Sequence, residues 1–252
     1  MIKMRKFRKY LALSIVLFSP VLPLSNGIFN QSVVTAQETS PKEHAMKVVE
    51  ELQGYFENEA LPTKVLTAES PVYFSAATTK VSDTENFNIF YYAENEPYEV
   101  NNQELNNKTP IAAFQRAVYE DEAAAQKAVN QVIDNQGEEI DLGYGITGYL
   151  TAGMGSTYLN WQEGNWSLAI QAPNQEGVSS PDLAKQIVEY LEEIALPAPE
   201  VVGQIKLRMN DSLTYEDNVA TWQVGNVVYT VSHADPFTLI EMTGSITNPT
   251  EQ

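Results

Sequence analysis

Two five-residue segments of this chain nearly repeat each other: Trp161-Gln162-Glu163-Gly164-Asn165 and Trp222-Gln223-Val224-Gly225-Asn226. Each lies between two β-like runs. A Gly-Asn pair in that position marks a tight antiparallel hairpin, because both residues tolerate positive φ. Each hairpin is followed by a helical pattern that opens near a proline, Pro181 or Pro236. The order strand, turn, strand, helix therefore occurs twice, which reads as a duplication. One hairpin and one helix bury their own apolar faces poorly, so such units are expected to share a sheet. The expected fold class is α+β: largely antiparallel sheet built from repeated strand-turn-strand-helix units, with helices packed on one face. Residues 64–135 read as a diverged third unit.

Local patterns fill in the remaining elements. Ser40, Pro41 and Glu43 supply a cap, a first-turn proline and a carboxylate three residues after the cap, the signature of a helix start. Ala45, Val48, Val49, Leu52, Tyr55 and Phe56 follow at helical spacing, and Pro62 closes the segment. Residues 64–76 are β-like with Pro71 inside, and Phe87, Ile89 and Tyr91 form one face of a strand. Residues 94–108 read as a long loop and 111–119 as a strand. A helix is expected over 120–135, with Ala124, Ala125, Ala128, Val129, Val132 and Ile133 inward. Glycine-punctuated strands follow over 142–171, then a helix over 180–194 with Ser180 as its cap. Residues 196–203 carry Pro197 and Pro199 and read as a linker. Strands near 204–209, 219–224 and 227–232 precede a last helix over 235–246. The organisation expected is a signal peptide over 1–36, a leader and helix over 37–62 and an α+β domain over 63–196. A hairpin-helix repeat over 197–252 packs on that domain.

The first 36 residues bear on location. Lys3, Arg5, Lys6, Arg8 and Lys9 precede a mostly apolar run from 11 to 24, and Val34-Thr35-Ala36 follows with small side chains. That is the layout of a cleaved secretory leader. The run is 14 residues long and contains Pro20 and Pro23, whereas a spanning helix needs roughly 20 apolar residues. The expected location is secreted, extracellular or cell-surface, with no stable membrane anchor after cleavage. The chain has no cysteine, which removes disulfides, thiol catalysis and lipid attachment. Beyond residue 36 there remain ten basic residues against 33 acidic, a formal charge of −23. Such a field repels nucleic acid and anionic surfaces.

Candidate chemistry is thin. Gly143-Tyr144-Gly145-Ile146-Thr147-Gly148 matches a dinucleotide fingerprint in letters, but the residues after it read as strand rather than helix. No cofactor is expected. His44 and His233 are the two histidines, too few and too differently placed for a zinc ligand set. The oxygen-rich loop 210–218 has ligand types that calcium favours, without the spacing of an EF-hand. A hydrolase would have to use carboxylates or His233 with Asp235. The acid pairs on offer are Glu94 with Glu96, Glu138 with Glu139 and Glu192 with Glu193. No Gly-x-Ser-x-Gly elbow marks a nucleophilic serine. Most aromatics of the repeat region read as the bulky half of a core, and the candidates for ligand binding among them are Trp161, Trp166, Trp222 and Tyr158.

On its Trp-containing hairpins and the helices after them, the stretch 155–246 resembles repeats of a domain of unknown function. These repeats occur in exported and lipid-anchored proteins of Gram-positive bacteria. The resemblance implies an envelope-facing, non-catalytic module, and the chain departs from the lipid-anchored members in having no cysteine. The function expected is a secreted, non-enzymatic α+β protein that binds a small ligand or a protein partner in the envelope or extracellular space. The alternative is an extracellular hydrolase.

Overall fold

The computed structural model describes residues 40–57, 59–65, 72–79 and 85–246. The leader over 1–36, residues 66–71 of the first β-like run and the tail beyond 246 lie outside them. The first helix, α1 (Pro41–Tyr55), starts where Ser40 and Glu43 direct it. Ser40 Oγ accepts from the Glu43 amide at 3.3 Å, and Glu43 Oε2 accepts from the Ser40 amide at 3.0 Å. This reciprocal capping box satisfies two amides that a helix start otherwise leaves open. Val48 and Leu52 then turn inward.

Ten strands follow: β1 (Tyr73–Thr78), β2 (Phe87–Glu94), β3 (Ala112–Val118), β4 (Glu138–Gly143), β5 (Ile146–Gly153), β6 (Ser156–Glu163), β7 (Trp166–Pro173), β8 (Gly203–Arg208), β9 (Asn218–Val224) and β10 (Val227–His233). They form one sheet in the order β1-β2-β3-β10-β9-β8-β7-β6-β5-β4. Every pairing is antiparallel except β7 with β8. The strands of 197–252 thus join those of 63–196 in one continuous sheet.

Register explains the core. Trp161, Leu168, Ile205, Ala220, Val231, Phe114 and Ile89 stand opposite one another across seven successive strands. All seven are buried. Side chains alternate between faces along a strand, so this row fixes the covered face of the whole sheet. Three helices cover it: α1, α3 (Ser180–Leu191) and α4 (Pro236–Gly244), whose Ile187, Val188, Leu239 and Ile240 join the same core.

The fourth helix departs from the expected arrangement. α2 (Glu122–Val129) packs Ala125 and Val129 against Val202 and Val228, and Val228 faces away from the main core because its neighbour Tyr229 faces toward it. Among the described residues, helices therefore lie on both faces, three against one. α2 is also shorter than the expected 120–135. Asn130 takes a left-handed cap with φ 52°, and the chain then crosses the sheet in extended form. Gln131 Nε2 donates to the carbonyls of Asn165 and Gly203, and the Val132 amide donates to Gln204 Oε1 at 2.7 Å. Val132 and Ile133, which continue the helical period, are left exposed. The chain has to reach β4 at the far edge, and this crossing overrides the local pattern.

Smaller differences have local causes. The cap of α3 is Ser179, whose Oγ accepts from the Asp182 amide, so Ser180 is the first helical residue. The long loop contains a 3-10 helix over Gln103–Asn107, capped by Asn102.

Candidate binding clefts at the paired hairpins

The two Gly-Asn turns adopt the same geometry. Glu163 pairs with Trp166 and Val224 with Val227, leaving two residues in each loop. Gly164 and Gly225 have φ of 57° and 60°, while neither asparagine is left-handed. A positive φ at the first loop position alone is the pattern of a type II′ turn. Only the glycines use the positive φ that both residue types tolerate, and a different job occupies the asparagines. Asn165 accepts from the Gly203 amide through its carbonyl and donates through its side chain to the Pro199 carbonyl at 3.1 Å. Asn226 likewise accepts from the Tyr119 amide and donates to the Tyr119 carbonyl. Each asparagine pins the chain beside its hairpin.

The segment read as a linker becomes a strap. Residues 192–202 run from α3 to β8 across the ends of both hairpins. Trp166 Nε1 donates to the Pro197 carbonyl at 3.0 Å. The Glu200 amide donates to the Gln223 carbonyl, and the Gly225 amide donates to the Glu200 carboxylate. Beneath the strap lies a lateral row: Glu163, Trp166, Gly203, Trp222, Tyr229 and Arg116 face one another across six strands. Gly203 lets Trp166 and Trp222 approach to 5.9 Å between ring centroids. A Cβ there would sit 2.6 Å from Trp166 Cε3 and 2.7 Å from Pro199 Cγ. Trp222 stacks on Tyr229 at 5.4 Å.

Two clefts flank the strap. One, of about 360 Å³, has Trp222, Val224 and Tyr229 on its sheet side and Pro197, Ala198 and Ile246 around it. The Tyr229 hydroxyl has no hydrogen-bond partner among the described residues. The other, of about 460 Å³, lies between Glu163 and Trp166 on the sheet and Leu191, Ile194, Pro197 and Pro199 on the strap side. Glu163 is half-buried, and its Oε1 accepts from Trp161 Nε1 at 2.9 Å. Burial pushes its protonation above the usual carboxylate range, the Trp161 bond opposes this, and the Glu192 charge adds to it.

The four expected binding residues do not form one surface. Trp161, Trp166 and Trp222 share the covered face and are 2%, 5% and 2% exposed. Tyr158 lies on the opposite face, where Gln171 Nε2 donates to its hydroxyl at 3.4 Å. Glu163 and Tyr229 stand outside that quartet although they line the clefts. Both were findable from a two-residue Gly-Asn loop, which places Tyr229 opposite Trp222 and Glu163 opposite Trp166.

Several of the other candidate groups have structural roles. Asp235 Oδ1 caps α4 by accepting from the Thr238 amide at 2.7 Å. His233 is buried, and its Nδ1 accepts from the Asp235 amide at 2.9 Å. Burial lowers its basicity, partly offset by the Asp235 charge and this contact. Glu94 pairs with Lys108 at 3.1 Å. The glycine-rich segment at 143–148 forms the hairpin between β4 and β5, with Tyr144 and Gly145 both at positive φ. It opens a strand, not the helix that a pyrophosphate site requires. In the loop at 210–218, Asp217 Oδ2 accepts from the Thr214 amide and hydroxyl, and Asn218 Oδ1 accepts from the Arg208 amide. Among the described residues no group of three or more His, Cys, Asp or Glu side chains is placed to hold a metal ion. No helix among them is long and apolar enough to cross a membrane. Comparison with protein-family models, with curated proteins and with solved structures finds no match.

Proposed function

We propose that this chain is a secreted, non-enzymatic α+β protein of the bacterial envelope or extracellular space, and that it binds a ligand in the clefts flanking the strap. The observation that carries this reading is the cleft over Trp222 and Tyr229. It combines an aromatic floor, apolar walls and one hydroxyl without an internal partner, the usual make-up of a small-ligand site. Two further features support it. Asp235 and the Nδ1 of His233, which a histidine-dependent hydrolase would need free, are committed to the start of α4. The leader, read as a signal peptide, brings the protein outside the cell. The two hairpin-helix blocks are read as repeats. The common turn, register and following helix support that reading, and with it the resemblance to the exported Gram-positive module.

Titration with the neutral fluorophore N-phenyl-1-naphthylamine tests the proposal. Saturable fluorescence enhancement is expected, together with its loss in Ala198→Trp, which fills the mouth of the cleft from an exposed position. An absence of saturable binding, or equal binding by an Ala198→Trp variant of unchanged melting temperature, overturns it. Turnover of ester, peptide or glycoside substrates that disappears in Glu163→Gln would establish the hydrolase instead.

A further inference from the structure

Four carboxylates that are partly withdrawn from water in this protein face a cation. Glu59 lies 2.9 Å from Arg116 Nε, Glu94 lies 3.1 Å from Lys108, Asp217 lies 3.5 Å from Arg208 and Glu241 lies 3.2 Å from Lys64. Each of these four side chains is less than a third exposed. Glu163 is also partly buried, yet its side-chain partner among the described residues is the neutral indole of Trp161. Its second carboxylate oxygen has no hydrogen-bond partner among the described residues. The charge that acts on it is another carboxylate, Glu192.

The sequence leaves little to supply the missing cation. No lysine, arginine or histidine occurs between Lys127 and Lys185, a stretch that contains all of β4, β5, β6 and β7. The same stretch holds seven acidic residues, among them Glu138, Glu139 and Asp141 on the edge strand. The strap side adds Glu192, Glu193 and Glu200 with no basic residue between Lys185 and Lys206. A half-buried carboxylate under a negative field gains from a cation brought by another molecule.

We propose that the cleft beside Glu163 receives a lysine or arginine side chain from a basic peptide segment of a partner. The Glu163 carboxylate meets the cationic head, and Leu191, Ile194 and Pro199 line the aliphatic stem. The cleft, about 460 Å³ and open on one side, has these two kinds of wall in the right order: carboxylate at the sheet, apolar side chains at the strap. Long basic side chains carry an apolar stem and a charged head, so they match such a site better than a bare cation or a neutral hydrocarbon. The surrounding acidic residues also speed the approach of a basic segment at low salt. This inference rests on the proposed binding role and names the partner chemistry for the second of the two clefts.

Calorimetric titration with an acetylated, amidated Leu-Lys-Ala-Lys-Leu peptide, against its Leu-Glu-Ala-Glu-Leu counterpart, tests it on the intact protein. The lysine peptide should bind, more weakly as salt rises, and the glutamate peptide should not. Glu163→Gln keeps the shape and the acceptor for Trp161, so its melting temperature should not fall. It should weaken the lysine peptide about tenfold, the scale of one charge-assisted hydrogen bond. Glu163→Lys should admit the glutamate peptide. Unchanged lysine-peptide affinity in Glu163→Gln, or equal binding of both peptides, overturns the inference. Naphthylamine binding without lysine-peptide binding removes this inference alone, and failure of both probes removes the binding role with it.

Discussion

Replacing Gly203 by alanine tests how the two hairpins are joined. The added Cβ would lie 2.6 Å from a ring carbon of Trp166 and 2.7 Å from the ring of Pro199, roughly 1 Å inside the favourable carbon–carbon separation of 3.5–4.0 Å. Neither neighbour yields easily. Trp166 is wedged against Trp222 and tied to the Pro197 carbonyl, while Pro199 is held through its carbonyl by Asn165. Overpacking of this kind costs about 1–3 kcal/mol, and a displaced Trp166 forfeits a hydrogen bond worth about 1 kcal/mol. Removing glycine from a strand returns about 0.5–1 kcal/mol. The net expectation is a loss of about 2 kcal/mol, or a fall of about 4–8 °C in melting temperature for a chain of this size. Urea denaturation followed by tryptophan fluorescence, with scanning calorimetry, measures it. Gly54→Ala is the control: nothing lies within 4 Å of its added Cβ, and in a helix it should gain up to about 1 kcal/mol. A Gly203→Ala protein as stable as its parent would show that Trp166 and Trp222 are not locked across β8.

Three further expectations follow from other parts of the fold. His233 is harder to protonate folded than unfolded, because its burial outweighs the opposing Asp235 charge and backbone contact. The unfolded chain therefore binds the extra proton first, and stability should fall as pH drops through about 6.5. A wild-type urea midpoint no lower at pH 5.5 than at 7.5, compared with His233→Gln, would contradict this. Gly164→Ala and Gly225→Ala should each cost about 1–2 kcal/mol by forcing an L-residue to left-handed φ, and unequal losses would argue against equivalent turns. The Tyr91 hydroxyl is buried without a hydrogen-bond partner among the described residues, so Tyr91→Phe should raise stability by about 1–3 kcal/mol, and a lower urea midpoint would refute that account.

Where close neighbours along the chain decide a feature, the sequence alone determined most of it, although it placed the α3 cap one residue late. Ser40 and Glu43 start α1, Asp235 and Pro236 start α4, and both Gly-Asn pairs make two-residue hairpins. These are contacts spanning three or four residues, so the letters contain both partners. The α+β class follows from the same local signals. Tertiary structure decided what depends on partners far along the chain. The parallel pairing of β7 with β8 turned residues 196–203 from a linker into a strap, and α2 was cut short because its chain had to cross to the opposite edge. The same long-range pairing put the tryptophans into the core and Tyr158 on the other face, and set Glu163 and Tyr229 at the clefts. The face a strand residue occupies is visible locally, but what covers that face is set by segments tens of residues away, and a single sequence does not spell out their proximity.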